Sequence, residues 1–246
     1  MTRSVQAHYS DLLGAVYAWM TGGAETAIAR GAAELSALGL LPPPNGLAVD
    51  LGAGIGMHAL PLARRGISVI AIDSSALLLD ELSAQAGSSG VTAIVDDLAG
   101  FRRHLAKPPG LVLCMGDTLT HLPSHAAVEA LLAEVATALA PCGVFVCTFR
   151  NYTRELADEA RFILVRSDLD RILTCFLEYG PDTVTVHDVL HERAADGWRM
   201  RIGSYLKLRL APESVREILE RHGCSVVVDT GPGGLVRLRA TRTAAP

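Results

Sequence analysis

The sequence predicts a doubly wound α/β fold, and three observations carry that expectation. From about residue 47 to 149, apolar strand-like runs alternate with helix-length segments, the pattern of a parallel sheet covered on both faces. The first run, Val49-Asp50-Leu51, opens into Gly52-Ala53-Gly54-Ile55-Gly56, where the backbone turns tightly and a ligand can approach it with no side chain in the way. The next run, Ser68-Val69-Ile70-Ala71-Ile72, ends on Asp73, an acid placed to grip a ribose diol. That is the layout of a nucleotide-type site at the carboxyl edge of a parallel sheet.

Taken in order, residues from about 8 to 40 read as helix, with Tyr9, Leu12, Leu13, Val16, Tyr17 and Met20 at helical spacing until Gly22-Gly23 interrupts. A second helix runs from near Ala24 to Leu40, and Pro42-Pro43-Pro44-Asn45-Gly46 forms a stiff linker. Strand 47–51 leads to a helix through about Arg65, stopped by Gly66. Strand 67–72 precedes a helix of 75–86, strand 91–95 a helix of 98–105, and strand 110–115 a helix of 124–140. Pro141-Cys142-Gly143 turns into strand 143–149.

After Arg150 the period changes to two, in runs Phe162 to Val165, Ile172 to Leu177, Val184 to Leu190 and Trp198 to Leu210. Turn signals at Gly180-Pro181-Asp182 and Ala195-Asp196-Gly197 make these an antiparallel meander. A helix of 212–222 starts on Pro212-Glu213-Ser214, and strands 224–229 and 234–241 close the chain. Residues 1–246 therefore read as one domain, with a helical arm at 1–45 and a β insertion at 155–210.

Composition narrows the function. Charged residues are 20% of the chain and the formal charge is −4, without the clustered basic face of a nucleic-acid binder. Arg193, Arg199, Arg201 and Arg209 alternate with apolar residues and read as one solvated strand face. The N-terminus lacks the apolar core of a signal peptide, and no apolar run approaches the roughly 20 residues that span a bilayer. Five scattered cysteines without C-x-x-C spacing point to a reducing cytoplasm and no metal site.

The glycine spacing, G-x-G-x-G with Met57 in the last slot of the dinucleotide fingerprint, counts against a nicotinamide oxidoreductase. With strand, loop, helix, strand and Asp73 in order, the segment resembles the first motif of class I S-adenosylmethionine-dependent methyltransferases. Two later loops narrow the likeness. Cys114-Met115-Gly116-Asp117-Thr118-Leu119-Thr120-His121-Leu122 follows the fourth strand, and Phe149-Arg150-Asn151-Tyr152 follows the fifth. Together they resemble the glycine N-methyltransferase family, whose arm, meander, Gly203-Ser204-Tyr205 and closing strand have counterparts here in order.

That resemblance implies S-adenosylmethionine as cofactor, held by Tyr17, Asp50, Gly52, Ala53, Gly54, Gly56, Asp73, Ser74, Asp97, Leu98, Met115, Gly116 and His121. Asp97 with Leu98 would meet the adenine, with Asp96 as the alternative; either acid can instead cap the next helix. Arg150 would hold a substrate carboxylate, and Tyr152 and Tyr205 would line the pocket, although Tyr205 shares strand parity with Arg201 and Lys207 and so can face solvent.

Two departures stand out. Asp117 replaces the family's asparagine, which makes it the first candidate for general base or amine binder, with His121 second. The family's arginine clasp on the cofactor carboxylate has no counterpart near Glu25. His58 reads as a helix-start residue, and His187 and His191 as exposed meander positions. The expected activity is N-methylation of a small carboxylated amine. O-methylation of a specialised metabolite and a non-catalytic cofactor-binding partner protein are the alternatives. An exposed arm and meander are compatible with a homo-oligomer.

Overall fold

Leu47–Leu51 forms the central strand β1, buried over its whole length, as an apolar run covered on both faces must be. The structure, a computed structural model, describes residues 4–39, 43 and 45–243. β1 pairs in parallel with β2 (Ser68–Asp73) on one side and β4 (Leu111–Cys114) on the other. β3 (Val91–Val95) extends the β2 edge, and β5 (Val144–Phe149) lies beside β4. β11 (Val236–Arg242) runs antiparallel to β5 and β10 (Cys224–Thr230) antiparallel to β11, giving the order β10-β11-β5-β4-β1-β2-β3. Strand order reverses between β1 and β4, and loops after those strands open a crevice at the sheet's carboxyl edge.

Helices α4 (Ala59–Arg64), α5 (Ala76–Ala86), α6 (His125–Ala138) and α7 (Pro212–Arg221) follow β1, β2, β4 and the meander. Local chemistry sets their starts. Ser75 and Ser124 cap α5 and α6 by accepting the amides of Leu78 (3.4 Å) and Ala127 (3.1 Å), and Pro212 opens α7. The expected helix over 98–105 is a 3₁₀ helix, Leu98–His104, whose start is held by Asp97 accepting the Ala99 amide (2.8 Å).

The arm departs from one regular helix. Val5–His8 (α1) passes into a π turn at Tyr9–Leu13 and a 3₁₀ turn at Gly14–Val16, before Tyr17–Met20 (α2) and Ala24–Ala37 (α3). The break at Gly22-Gly23 is as expected, whereas the distortion before it lets His8, Leu12, Leu13 and Val16 all bury. Pro42 and Pro44 of the linker, and Leu40 itself, lie outside the described residues.

The insertion is a separate four-stranded antiparallel sheet, β6 (Phe162–Ser167), β7 (Arg171–Tyr179), β8 (Thr183–Ala194) and β9 (Gly197–Leu208), in that order. Leu173, Leu177, Val184, Val186, Leu190 and Tyr205 form its inner face and pack on Leu12, Leu13 and Val16 of the arm and on Tyr152. The four arginines do not share one solvated face. Arg193 lies over the Trp198 ring on the outer side, while Arg201 pairs with inward Leu190 and donates to the Asp11 carbonyl of the arm. Arg209 lies past the end of β9, half-buried between the Gly180 carbonyl and Glu155.

Among the described residues no helix is long and apolar enough to cross a membrane, and no group of three or more His, Cys, Asp or Glu is placed to hold a metal ion.

Candidate active site

A cavity of about 620 Å³ opens where the loops after β1, β2, β4 and β5 meet the arm and the inner face of the meander sheet. Its size is ordinary for a small-molecule site. One end is built by the parallel sheet. Gly54 turns there with φ of +51°, and a Cβ at that position would stand 3.7 Å from the Tyr17 ring, filling the gap between loop and arm. Asp73 accepts the amides of Gly54 (2.8 Å) and Ser75 (2.9 Å). Burial pushes its pKa up, and those amides partly offset the rise. Ser75, not Asp73, caps the following helix, so the carboxylate stays at the cavity.

Gly52, Ala53, Ser74, Met115 and Gly116 line the same end, as do Asp97 and Leu98. Asp96 is drawn away: His104 (2.6 Å) and Arg103 bind its carboxylate and hold its pKa below the ordinary range. The geometry thus separates the two adjacent acids and leaves Asp97 facing the cavity.

Two residues of the glycine motif do not line the cavity. Gly56 donates its amide to the Ala53 carbonyl (2.9 Å), and a Cβ there would press on Leu82 and Leu60 (2.9 and 3.0 Å), so its smallness serves packing. Asp50 lies beneath the loop, and its Oδ2 is buried without a hydrogen-bonding partner. Burial, with the Asp73 charge adding to it and His58 opposing, pushes its pKa up to about 6. An orphaned buried carboxylate oxygen suits an ordered water.

The other end of the cavity is polar and crowded. Asp117, after β4, accepts the Arg150 amide (2.9 Å), the Tyr152 hydroxyl (2.8 Å) and the Lys207 ammonium (2.5 Å). Burial alone would raise its pKa, but Lys207, His121 and the Arg150 amide outweigh that and hold it below the usual carboxylate range. A carboxylate so engaged is a poor proton acceptor, which speaks against general base as the role of Asp117.

His121 is the converse. Burial and the nearby Lys207 charge push its pKa down to about 3, so the ring is neutral, and its Nε2 is buried without a partner. The Tyr9 and Tyr205 rings meet it edge-on at 6.0 and 5.7 Å.

Arg150 lines the cavity, and its guanidinium has no hydrogen-bonding or ion-pair partner among the described residues. Tyr152 and Tyr205 are buried at 5% exposure each, so the parity that Tyr205 shares with Lys207 marks an inward face. His58 stands at the start of α4 as expected, buried against Glu34 (2.9 Å), and His187 is bound between Ser204 and Glu178.

Three groups were not singled out by the sequence reading. Lys207 follows Tyr205 by one strand period, so it was legible once Tyr205 was placed inward. Asp188 interrupts the inward series Val184, Val186, Leu190 with a charge, a signal that was there to be read. It takes His8 at 2.8 Å, and the His8 ring stacks on Tyr205. Arg30, on α3, reaches the cavity beside Met57 and Tyr17, its nitrogen 3.4 Å from the Met57 sulfur. No short-range pattern connects a residue in mid-helix to a loop some 25 positions later.

Comparison with known proteins agrees with this geometry. A family model described as a methyltransferase domain matches residues 48–143. The glycine/sarcosine N-methyltransferases of Halorhodospira halochloris and Aphanothece halophytica are 28% and 27% identical to the chain over 106 residues, 42% of its length. The chain spans about 40% of the length of these curated relatives.

Among solved structures, an amino pentose methyltransferase from Micromonospora echinaspora, bound to S-adenosylmethionine, superposes with a TM-score of 0.71 over 99% of both chains at 21% identity. A sugar N-methyltransferase from Streptoalloteichus gives 0.67, over 82% of both chains at 15% identity. These likenesses establish the fold. The family model spans residues 48–143, the stretch that carries the glycine loop and Asp73, and marks that stretch as a methyltransferase domain.

Proposed function

We propose that this chain methylates the nitrogen of a small carboxylated amine, and the observation that carries the reading is the unpaired Arg150 guanidinium at the acceptor end of the cavity. A guanidinium facing a cavity without a carboxylate partner is a ready bidentate anchor for one. When bound, S-adenosylmethionine supplies an electrophilic methyl group on a sulfonium. Tyr17, Gly54, Asp73, Asp97 and Leu98 form a cradle that fits its nucleoside, and Arg30 is the cation available for its carboxylate, in place of the clasp missing near Glu25.

The acceptor nitrogen must be neutral to attack. Burial at this end disfavours an ammonium, so the amine sheds its proton to solvent on entry. His121 then accepts an N–H through its free Nε2 and turns the lone pair toward the methyl group. The Lys207–Asp117 pair fixes Tyr152 and the Arg150 backbone, and the arm and meander exclude water. The product ammonium, formed in a buried site beside a weakly basic imidazole, gives its proton to solvent as it leaves.

A second reading extends the acceptor to an amino sugar. Asp188 with His8 adds hydrogen-bonding groups beyond a single carboxylate anchor, and two of the structural neighbours carry such substrates in their names.

The test is release of S-adenosylhomocysteine over a panel of carboxylated amines, amino sugars, phenols and simple carboxylates. Turnover of a carboxylated amine is expected, with kcat/KM lowered on the order of 100-fold in Arg150→Ala, the scale of a lost charge-assisted pair. Turnover of phenols or carboxylates alone would replace the proposal with O-methylation. Cofactor binding without turnover on any class would assign a binding role instead.

A further inference from the structure

The meander sheet has a second face, turned away from the cavity. On β9, Tyr205 and Lys207 point inward, so the alternate residues point out: Trp198, Met200, Ile202 and Leu206 are 46, 59, 59 and 43% exposed. On β6, Phe162 and Leu164 continue this surface at 66 and 61%. A contiguous apolar face of this kind marks a protein contact, since monomers rarely expose patches beyond a few hundred Å².

Its dimensions suit one particular occupant. Four strands spaced ~4.8 Å apart, the longest of twelve residues, present a footprint on the order of 700 Å². Two such faces together would bury roughly 1,500 Å², within the range of stable complexes. The charges at its ends are met within the chain: Glu178 lies 3.1 Å from His187, and Arg193 lies 3.7 Å from Asp170 and over the Trp198 ring. A largely apolar face without a basic cluster suits a second copy of itself, whereas an anionic membrane would call for basic groups across it.

We propose that this chain forms a homodimer in which the outer faces of two β6–β9 sheets pack on each other. The interface lies directly behind the wall that carries Tyr205, Lys207 and Asp188, so it stiffens the acceptor side of each cavity.

Sedimentation of the full chain across a concentration series tests this. A species of twice the 26.0 kDa chain mass is expected. Met200→Glu and Ile202→Lys, at exposed positions, should weaken association by at least about tenfold while leaving circular dichroism and thermal unfolding of the protomer cooperative. A chain that stays at the single mass into the tens of micromolar overturns the proposal, as does a dimer indifferent to Met200→Glu.

Discussion

Lys207 and Asp117 are buried together at the acceptor end, and each makes the other tolerable there. Lys207→Met leaves a buried carboxylate without its cation and should destabilise the protein by about 3–5 kcal/mol in urea unfolding. Adding Asp117→Asn should recover most of that loss, because the pair would then be absent rather than broken. Asp50 gives a pH-dependent counterpart. Its folded pKa, pushed up to about 6 by burial, exceeds the unfolded carboxylate value, so the folded state binds the proton more tightly. The contribution of Asp50 to stability is therefore fully present below about pH 4 and is lost as pH rises through about 6. Asp50→Asn should be the more stable protein at pH 8, by up to about 3 kcal/mol, and the advantage should vanish below roughly pH 4 in thermal melts. His121 is already neutral across the physiological range, so replacing it with Phe should lower kcat without moving any inflection between about pH 5 and 8.

At the scale of elements, the arm is docked through one close approach. A Cβ on Gly203 of β9 would meet the His8 ring at 2.5 Å, while Asp188 holds that ring from the other side. Gly203→Ala should cost about 1–3 kcal/mol and release the arm, read as faster amide exchange over residues 5–20. The elements themselves were largely legible. Apolar runs and turn residues set β1 to β5 and the meander within a residue or two, except that β8 runs on to Ala194 instead of ending at Leu190, because strand period and glycine punctuation are local properties. The loops Gly52–Gly54, Gly116–His121 and Arg150–Tyr152 fell on one cavity as their place after strands requires. What local pattern does not contain is pairing across the chain. Asp117 reads as an available base until Lys207, 90 positions later, is laid against it. The irregular arm is similar: helical spacing is visible, but its π and 3₁₀ turns answer to the meander it packs on.

At the scale of the molecule, the cavity joins two independently built halves, with the parallel sheet beneath one end and the arm and meander over the other. Saturating S-adenosylmethionine at about 100 times its Kd should stabilise the fold by about 2.7 kcal/mol, and slowed amide exchange should extend to the arm residues beside Tyr17. The His8–Asp188 contact spans 180 residues of sequence. On a ribosome adding about 5–20 residues per second, the arm emerges first and waits on the order of tens of seconds for its roof. A nascent chain ending before β8 already owns the glycine loop and Asp73, yet has neither Tyr205 nor Lys207 to close the acceptor end. A chain stopped before β8 thus carries the glycine loop and Asp73 without the wall that shields the acceptor end from water.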